Sequence, residues 1–352
     1  MRVARAPHPY ALFTAIVAIL ALAGCGSSSS SKSATHTATA ASSSTSATNP
    51  ASAPGPPPAV NQLGPAQHPR ASQFPSAAGR SLKDLGTLAR SSVELGAATG
   101  TFTPGTQRFA FALTANSGAF VYAPTAIYLA SNPGAPAKGP FLAPADPMSV
   151  QPQYRSKQNA GPGGIQAIYA ANVPVPKAGT YFVLSLTRGP KGLIGATGEL
   201  AAAGSSAIPA VGQRPPNIAT DTLASVHGNQ SLLTTRLPPE SMAAASLDQV
   251  LGKKPVALLF STPELCISRV CGPVTDIAVQ IQHRFGSKVE FIHQEVYVDN
   301  QPSKGLRPQL KAFHLRTEPW LFAINKHGTI VARLEGAFGT TALTQAVQAA
   351  LK

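Results

Sequence analysis

The stretch Lys254 to Thr275, KPVALLFSTPELCISRVCGPVT, decides the fold. Val256 to Phe260 is continuously apolar, the pattern of a buried strand. Ser261-Thr262-Pro263 turns the chain, and Cys266, Cys271 and Gly272-Pro273 follow. Val274, Ile277, Ala278 and Ile281 then recur at helical steps. A helix start offers free N–H groups and the positive end of a dipole, and both favour thiolate over thiol. Cys271 is nearest that start in sequence, so it is expected to carry the lowered pKa and to attack. Cys266 would then resolve the mixed disulfide.

The spacing constrains how the pair can meet. Five residues along one helix turn two side chains about 140° apart, so both cysteines cannot lie in the helix and bond. A bridge requires Cys266 in the loop, folded back until the Cα atoms are about 5.5 Å apart. Pro263 before it and Gly272-Pro273 after it suit that path. A permanent bridge that only pins a loop is the alternative reading, and it would make the chain a noncatalytic envelope binding module.

Outward from this stretch, the chain of 352 residues has room for two domains and tails. Its net charge is +14, yet no Lys/Arg block marks a nucleic-acid arm. The charge is read as a surface facing anionic lipid or cell-wall polymer, with no nucleic acid as partner. Arg2 and Arg5 precede an apolar run from Tyr10 to Leu22, too short for a comfortable membrane span. The run ends Leu22-Ala23-Gly24-Cys25. This resembles the lipobox of bacterial lipoproteins, and the resemblance implies a signal peptide over 1–24, diacylglycerol on the Cys25 sulfur and an extracytoplasmic protein anchored to the cell membrane. Residues 25–87, rich in Ser, Thr, Ala and Pro, are expected to be a disordered tether. A flexible coil of roughly 60 residues has a mean reach of about 45 Å.

Residues 88–202 read as an all-β sandwich. Arg108 to Thr114 alternates with Phe109, Phe111 and Leu113 on one face, and Thr180 to Thr187 with Phe182, Leu184 and Leu186 inward. Pro-Lys-Ala-Gly-Thr-Tyr at 176–181 resembles a turn of immunoglobulin-like domains. No chemistry is assigned to this part, which reads as a spacer or docking module. Residues 203–245, with Pro209, Pro215-Pro216 and Pro238-Pro239, form a linker expected to lie along the next domain.

Residues 246–352 read in the order βαβαββα. Lys288 to Val298 is the second strand, Thr317 to Ile324 the third, Asn325 to Gly328 a hairpin turn, and Thr341 to Leu351 a closing helix. With cysteine at the first strand-to-helix turn and Thr317-Glu318-Pro319 before the third strand, this region resembles the thioredoxin-like superfamily. The whole chain resembles actinobacterial envelope lipoproteins that join an immunoglobulin-like domain to a thioredoxin-like one. The resemblance implies an α/β domain, a cis Pro319 beside the reactive sulfur, and thiol–disulfide exchange with envelope protein thiols or disulfides. Glu318 and Trp320 flank that proline and are expected at the rim of the site.

The departures are specific. Val274 stands where thioredoxin has its second cysteine, and Leu259 where it has a buried acid. A second alignment with the superfamily puts Cys266 at the reactive position, since it follows Phe260 at nearly the family's distance, so which cysteine attacks stays open. Peroxiredoxins, however, carry Thr three residues before their cysteine, whereas Thr262 is four before Cys266. Thioredoxin-fold copper chaperones use Cys-x3-Cys and a histidine, but here the spacing is Cys-x4-Cys and the matching position is near Thr317. No metal ligand set and no cofactor is therefore read from the sequence, and copper handling is the weakest alternative. His327 is expected in solvent, His314 at the surface, and His293 half-buried on its strand. The oligomeric state is not legible in the residues.

Overall fold

The computed structural model describes residues 61–91 and 93–352. The expected signal peptide, Cys25 and the tether to residue 60 lie outside the described residues. The described residues fall within one compact unit.

Residues 61–87 of the expected tether are folded, which corrects the reading of 25–87 as disordered throughout. Helices α1 (Leu63–Gln67) and α2 (Leu82–Gly86) lie here. Ser81 and Asp84 form a reciprocal capping box that starts α2, satisfying two otherwise free N–H groups. Phe74, Leu82 and Leu85 are buried against Tyr128, Leu184 and Leu186. Composition pointed to disorder, but these few apolar residues have a sheet to bury against.

Nine strands follow: β1 (Arg90–Ser91), β2 (Val93–Ala97), β3 (Gly105–Ala115), β4 (Thr125–Ala130), β5 (Lys138–Leu142), β6 (Ala145–Pro147), β7 (Ala167–Val175), β8 (Gly179–Gly189) and β9 (Gly192–Ala202). They form two sheets, ordered β1-β9-β8-β4-β5 and β2-β3-β7-β6. The alternating Phe109, Phe111 and Leu113 of β3 face Ile127, Val183 and Leu200 across a shared core. Leu184 and Leu186 point to the opposite side of β8, under α2. The expected inward face of β8 is thus the one that the folded tether covers, and Val183 supplies the sandwich core instead.

The remaining elements are α3 (Leu247–Val250), β10 (Val256–Phe260), α4 (Cys271–Phe285), β11 (Glu290–Gln294), α5 (Pro308–Ala312), β12 (Trp320–Ile324), β13 (Ile330–Glu335) and α6 (Thr340–Ala350). From β10 onward the order is βαβαββα. The sheet runs β11-β10-β12-β13, with β10 parallel to β11 and antiparallel to β12. The apolar run of β10 reflects burial on both faces. Ala257 and Leu259 pack under α4 and α6. Val256, Leu258 and Phe260 pack on Phe313 and Phe322. Among the described residues no helix is long and apolar enough to cross a membrane.

The sandwich and this α/β part share one core. Ala110, Met148, Val150 and Ile168 cluster with Val274, Ile277, Phe338 and Val347. Gly336 (φ 65°) passes so close to Ala98 that a Cβ would lie 1.6 Å from its carbonyl oxygen, so only glycine fits there. The linker lies along the α/β part, with Met242 and Arg236 buried.

Helix α6 carries no cap of its own, because its N-cap residue is Gly339. Asp146 of β6 supplies one, accepting from the N–H groups of Gly339 at 2.8 Å, Thr341 at 2.9 Å and Ala342 at 3.1 Å. Asp146→Ala should lower the unfolding free energy by about 1–3 kcal/mol, from a lost cap and orphaned N–H groups. Urea unfolding, followed by Trp320 fluorescence and far-ultraviolet circular dichroism, should give one coincident transition. Two separated transitions would show that the halves unfold independently.

Candidate functional site

Strand β10 ends at Phe260, and the loop 261–270 carries Cys266 to the start of α4. Arg269 adopts a left-handed conformation (φ 57°), and its N–H donates to the Cys266 carbonyl at 3.1 Å. This reverses the chain. Cys266 folds back over the helix start, and its sulfur accepts from the N–H groups of Val270 and Cys271. Val270, the N-cap residue, offers no side-chain cap, so the Cys266 sulfur sits where such a cap would sit. Cys271 is the first residue of α4 and is fully buried. Both cysteines carry free thiols, and the two Sγ atoms and a Glu318 carboxylate oxygen lie within 4.8 Å of one another.

The two sulfurs have opposite electrostatics, and the expected assignment is reversed. Cys266 is lowered to about 6, chiefly because the Cys271 thiol donates to it. Burial opposes that shift, and the Ser268 hydroxyl and the two helix N–H groups add to it. Cys271 is raised well above the usual thiol range, first by burial, then by its bond to Cys266 and by the Cys266 charge. Proximity in sequence misled here. Cys271 is buried and gives its S–H to Cys266, whereas the folded-back loop brings the Cys266 sulfur to the free N–H groups.

The Glu318–Pro319 peptide is cis. Pro319 is buried, and its carbonyl accepts from Gly336 N–H at 2.8 Å. Glu318 is half-buried beside the thiols, and its carboxyl is raised by burial, then by the charges of Cys266 and Glu295. Trp320 goes elsewhere. It stacks on Phe322 at 6.1 Å within the aromatic core, and its Nε1–H donates to Thr317 at 3.1 Å. His314 and His327 are exposed.

A cavity of about 930 Å³ opens over Cys266 and Glu318. Gly96, Ala97, Lys157, Asn159 and Ile165 line its far side. The sandwich, to which no chemistry was assigned, therefore walls the site. Its loop 154–164 is held against α4 by Asp276, which accepts from Ser156 N–H at 2.9 Å, Asn159 Nδ2 at 3.0 Å and Arg236 Nε at 2.9 Å. Gly272 permits that approach, since a Cβ there would lie 2.7 Å from the Gln158 carbonyl oxygen.

His293 is fully buried rather than half-buried, because the linker covers it. Its Nδ1 lies 2.7 Å from Glu240 Oε1 and its Nε2 2.8 Å from Ser261 Oγ. The protons in this network can be placed. Thr275 Oγ1 donates to the Cys271 carbonyl at 2.8 Å, so Ser261 must donate to Thr275, 2.8 Å away. Ser261 then accepts from His293 Nε2–H. Burial opposes charge on His293, but Glu240 outweighs it and the pKa is raised. Burial likewise opposes charge on Glu240, yet His293 holds its pKa below the usual value. Both shifts favour imidazolium with carboxylate, and the pair is tied through two hydroxyls to the backbone of Cys271. Sequence reasoning missed Glu240, Asp276 and Arg236, because nothing local in a proline-rich linker or a helix face marks a partner so far away.

No protein-family model matches the chain, and no curated protein does. A solved structure from Chlorobium tepidum, described as a thiol:disulfide interchange protein DsbE, aligns at 15% identity with a TM-score of 0.30. It covers 41% of this chain and 99% of that one.

The charged pair makes a pH-dependent prediction. His293 is raised, so its contribution is full below its unfolded value of about 6.5 and is lost as pH rises through the folded value. Glu240 is lowered, so its contribution is full above about 4.3 and is lost as pH falls through the folded value. Glu240→Gln should cost about 3–5 kcal/mol between those limits, and less on either side. Urea midpoints of wild type and variant from pH 4 to 9 check this, and a constant difference would exclude the charged pair.

Proposed function

We propose that the chain is an extracytoplasmic thiol–disulfide oxidoreductase, anchored through lipid on Cys25, that exchanges with thiols or disulfides of envelope proteins through Cys266 and Cys271. In this reading residues 88–202 are an immunoglobulin-like sandwich and 246–352 a thioredoxin-like domain. One observation carries the proposal. Two thiols lie side by side at a strand-to-helix turn, and the one lining the open groove is the one stabilised as thiolate. Ile267, 97% exposed, stands next to it as an apolar contact for a protein substrate.

In the reductive direction the Cys266 thiolate attacks a substrate disulfide. The Cys266–substrate bond forms, the substrate S–S bond breaks, and the leaving sulfur takes a proton. Cys271 then loses its proton and attacks the Cys266 sulfur, releasing the second substrate thiol. The substrate gains two electrons, which the new Cys266–Cys271 disulfide has lost. The oxidative direction is the reverse. Glu318, with its raised carboxyl beside both sulfurs, is placed to accept the Cys271 proton. It would fill the role of the acid that Leu259 replaces.

Cys271→Ser should accumulate mixed disulfides through Cys266, and Cys266→Ser should trap none. The wild-type couple should be more oxidising than about −300 mV, the region of structural bridges. If neither variant traps a partner and the bridge resists dithiol reduction, the oxidoreductase reading fails. Trapping by Cys266→Ser alone would return the attacking role to Cys271.

A further inference from the structure

We infer that Cys266, Cys271 and Glu318 form a zinc(II) site in the reduced protein. The three ligand atoms converge within 4.8 Å, although Glu318 is far from the cysteines in sequence. That separation is why the sequence shows no ligand set. A tetrahedral zinc ion with Zn–S of about 2.3 Å and Zn–O of about 2.1 Å sets its ligand atoms roughly 3.6–3.8 Å apart. The trio lies within 4.8 Å before any ion is bound, so binding requires the side chains to draw together.

The donor set selects the metal. Two thiolates and a carboxylate suit borderline zinc(II), while the hard carboxylate disfavours copper(I) and the thiolates disfavour magnesium or calcium. Cys266 and Glu318 line the groove, which gives the ion an access route and leaves a fourth position for water. Ser268 Oγ, 3.2 Å from the Cys266 sulfur, orients that ligand from outside. A divalent ion also offsets most of the repulsion among three anionic ligands, leaving a net charge of −1. Each cysteine that enters as a thiol releases its proton to solvent. No electron moves, and a bound ion would hold both sulfurs reduced.

The inference does not rest on the redox reading. The test uses the full chain, reduced and freed of metal. Zinc(II) is titrated against a chromophoric chelator, and cobalt(II) serves as a spectroscopic probe. The expected result is one ion per chain, with thiolate-to-cobalt charge-transfer absorption. Glu318→Gln should weaken zinc at least tenfold with Trp320 fluorescence unchanged, and Cys271→Ser should abolish stoichiometric binding. Absence of stoichiometric zinc, or a Glu318→Gln variant that binds as tightly as wild type, overturns the site. A wild-type chain that binds no zinc yet forms a reversible disulfide removes only the metal site. One that binds zinc but whose bridge cannot be reduced removes only the oxidoreductase reading.

Discussion

The site depends on one buried ion pair, Arg236 with Asp276. Both side chains are almost fully buried, so both charges give up hydration that their attraction alone does not restore. The remaining hydrogen bonds make up the difference. Asp276 accepts from the loop 154–164 at two points, and Arg236 donates to the Tyr154 carbonyl at 2.7 Å and to the Pro238 carbonyl. Sandwich loop, linker and helix α4 are thereby fixed to one another. An apolar pair of equal volume could hold the same weight of packing, but it would not specify which backbone groups meet.

That clasp has a chemical consequence. It presses loop 154–164 over Gly272, on the first turn of α4, and leaves the side of Cys266 open. From behind, the His293–Glu240 network holds the Cys271 carbonyl through Thr275 and Ser261. The helix start is gripped from both sides, so its free N–H groups have a defined direction, and the sulfur in their path is Cys266. The unequal acidity of two chemically identical thiols thus follows first from the Cys271 S–H donated to Cys266 and from the deeper burial of Cys271, with the helix N–H groups adding a smaller share, rather than from a nearby cation.

Much of the scaffold was legible in the residues, and the failures share a cause. The apolar run 256–260, the helix from Val274 and the alternation at 109–113 are local patterns set by which faces are buried, and each is an element of the fold. Residues 61–87 were misread because composition averages over a segment, while Phe74, Leu82 and Leu85 act individually against a surface 40 or more residues away. The face of β8 was misjudged for the same reason, since alternation marks a buried face without saying what buries it. At the site, types and order pointed to the two cysteines and Glu318, whose ligand atoms the fold brings together. Their electrostatics were not legible, because the sign of each pKa shift depends on which thiol is buried and which accepts the other's S–H after the loop reverses at Arg269. Trp320 shows the converse error, in which a neighbour in sequence leaves the site because the next strand position belongs to the opposite face.

The burial of Cys271 constrains any exchange chemistry at this pair. It has no exposed surface, so a folded substrate cannot reach it, and only Cys266 lines the groove. In the proposed exchange, substrate attack and internal resolution are therefore separated in space as well as in time. The first needs an open sulfur that is already a thiolate, and the second needs a buried thiol that becomes a nucleophile only when its proton leaves. While Cys266 is anionic it raises Cys271 and accepts its S–H, so the resolving thiol is held protonated. Once Cys266 is tied up in a mixed disulfide, both its charge and that hydrogen-bond acceptor are gone. The same event that commits the substrate thus removes two of the causes that suppress Cys271, and the half-buried carboxylate of Glu318 is the group left beside it to take the proton.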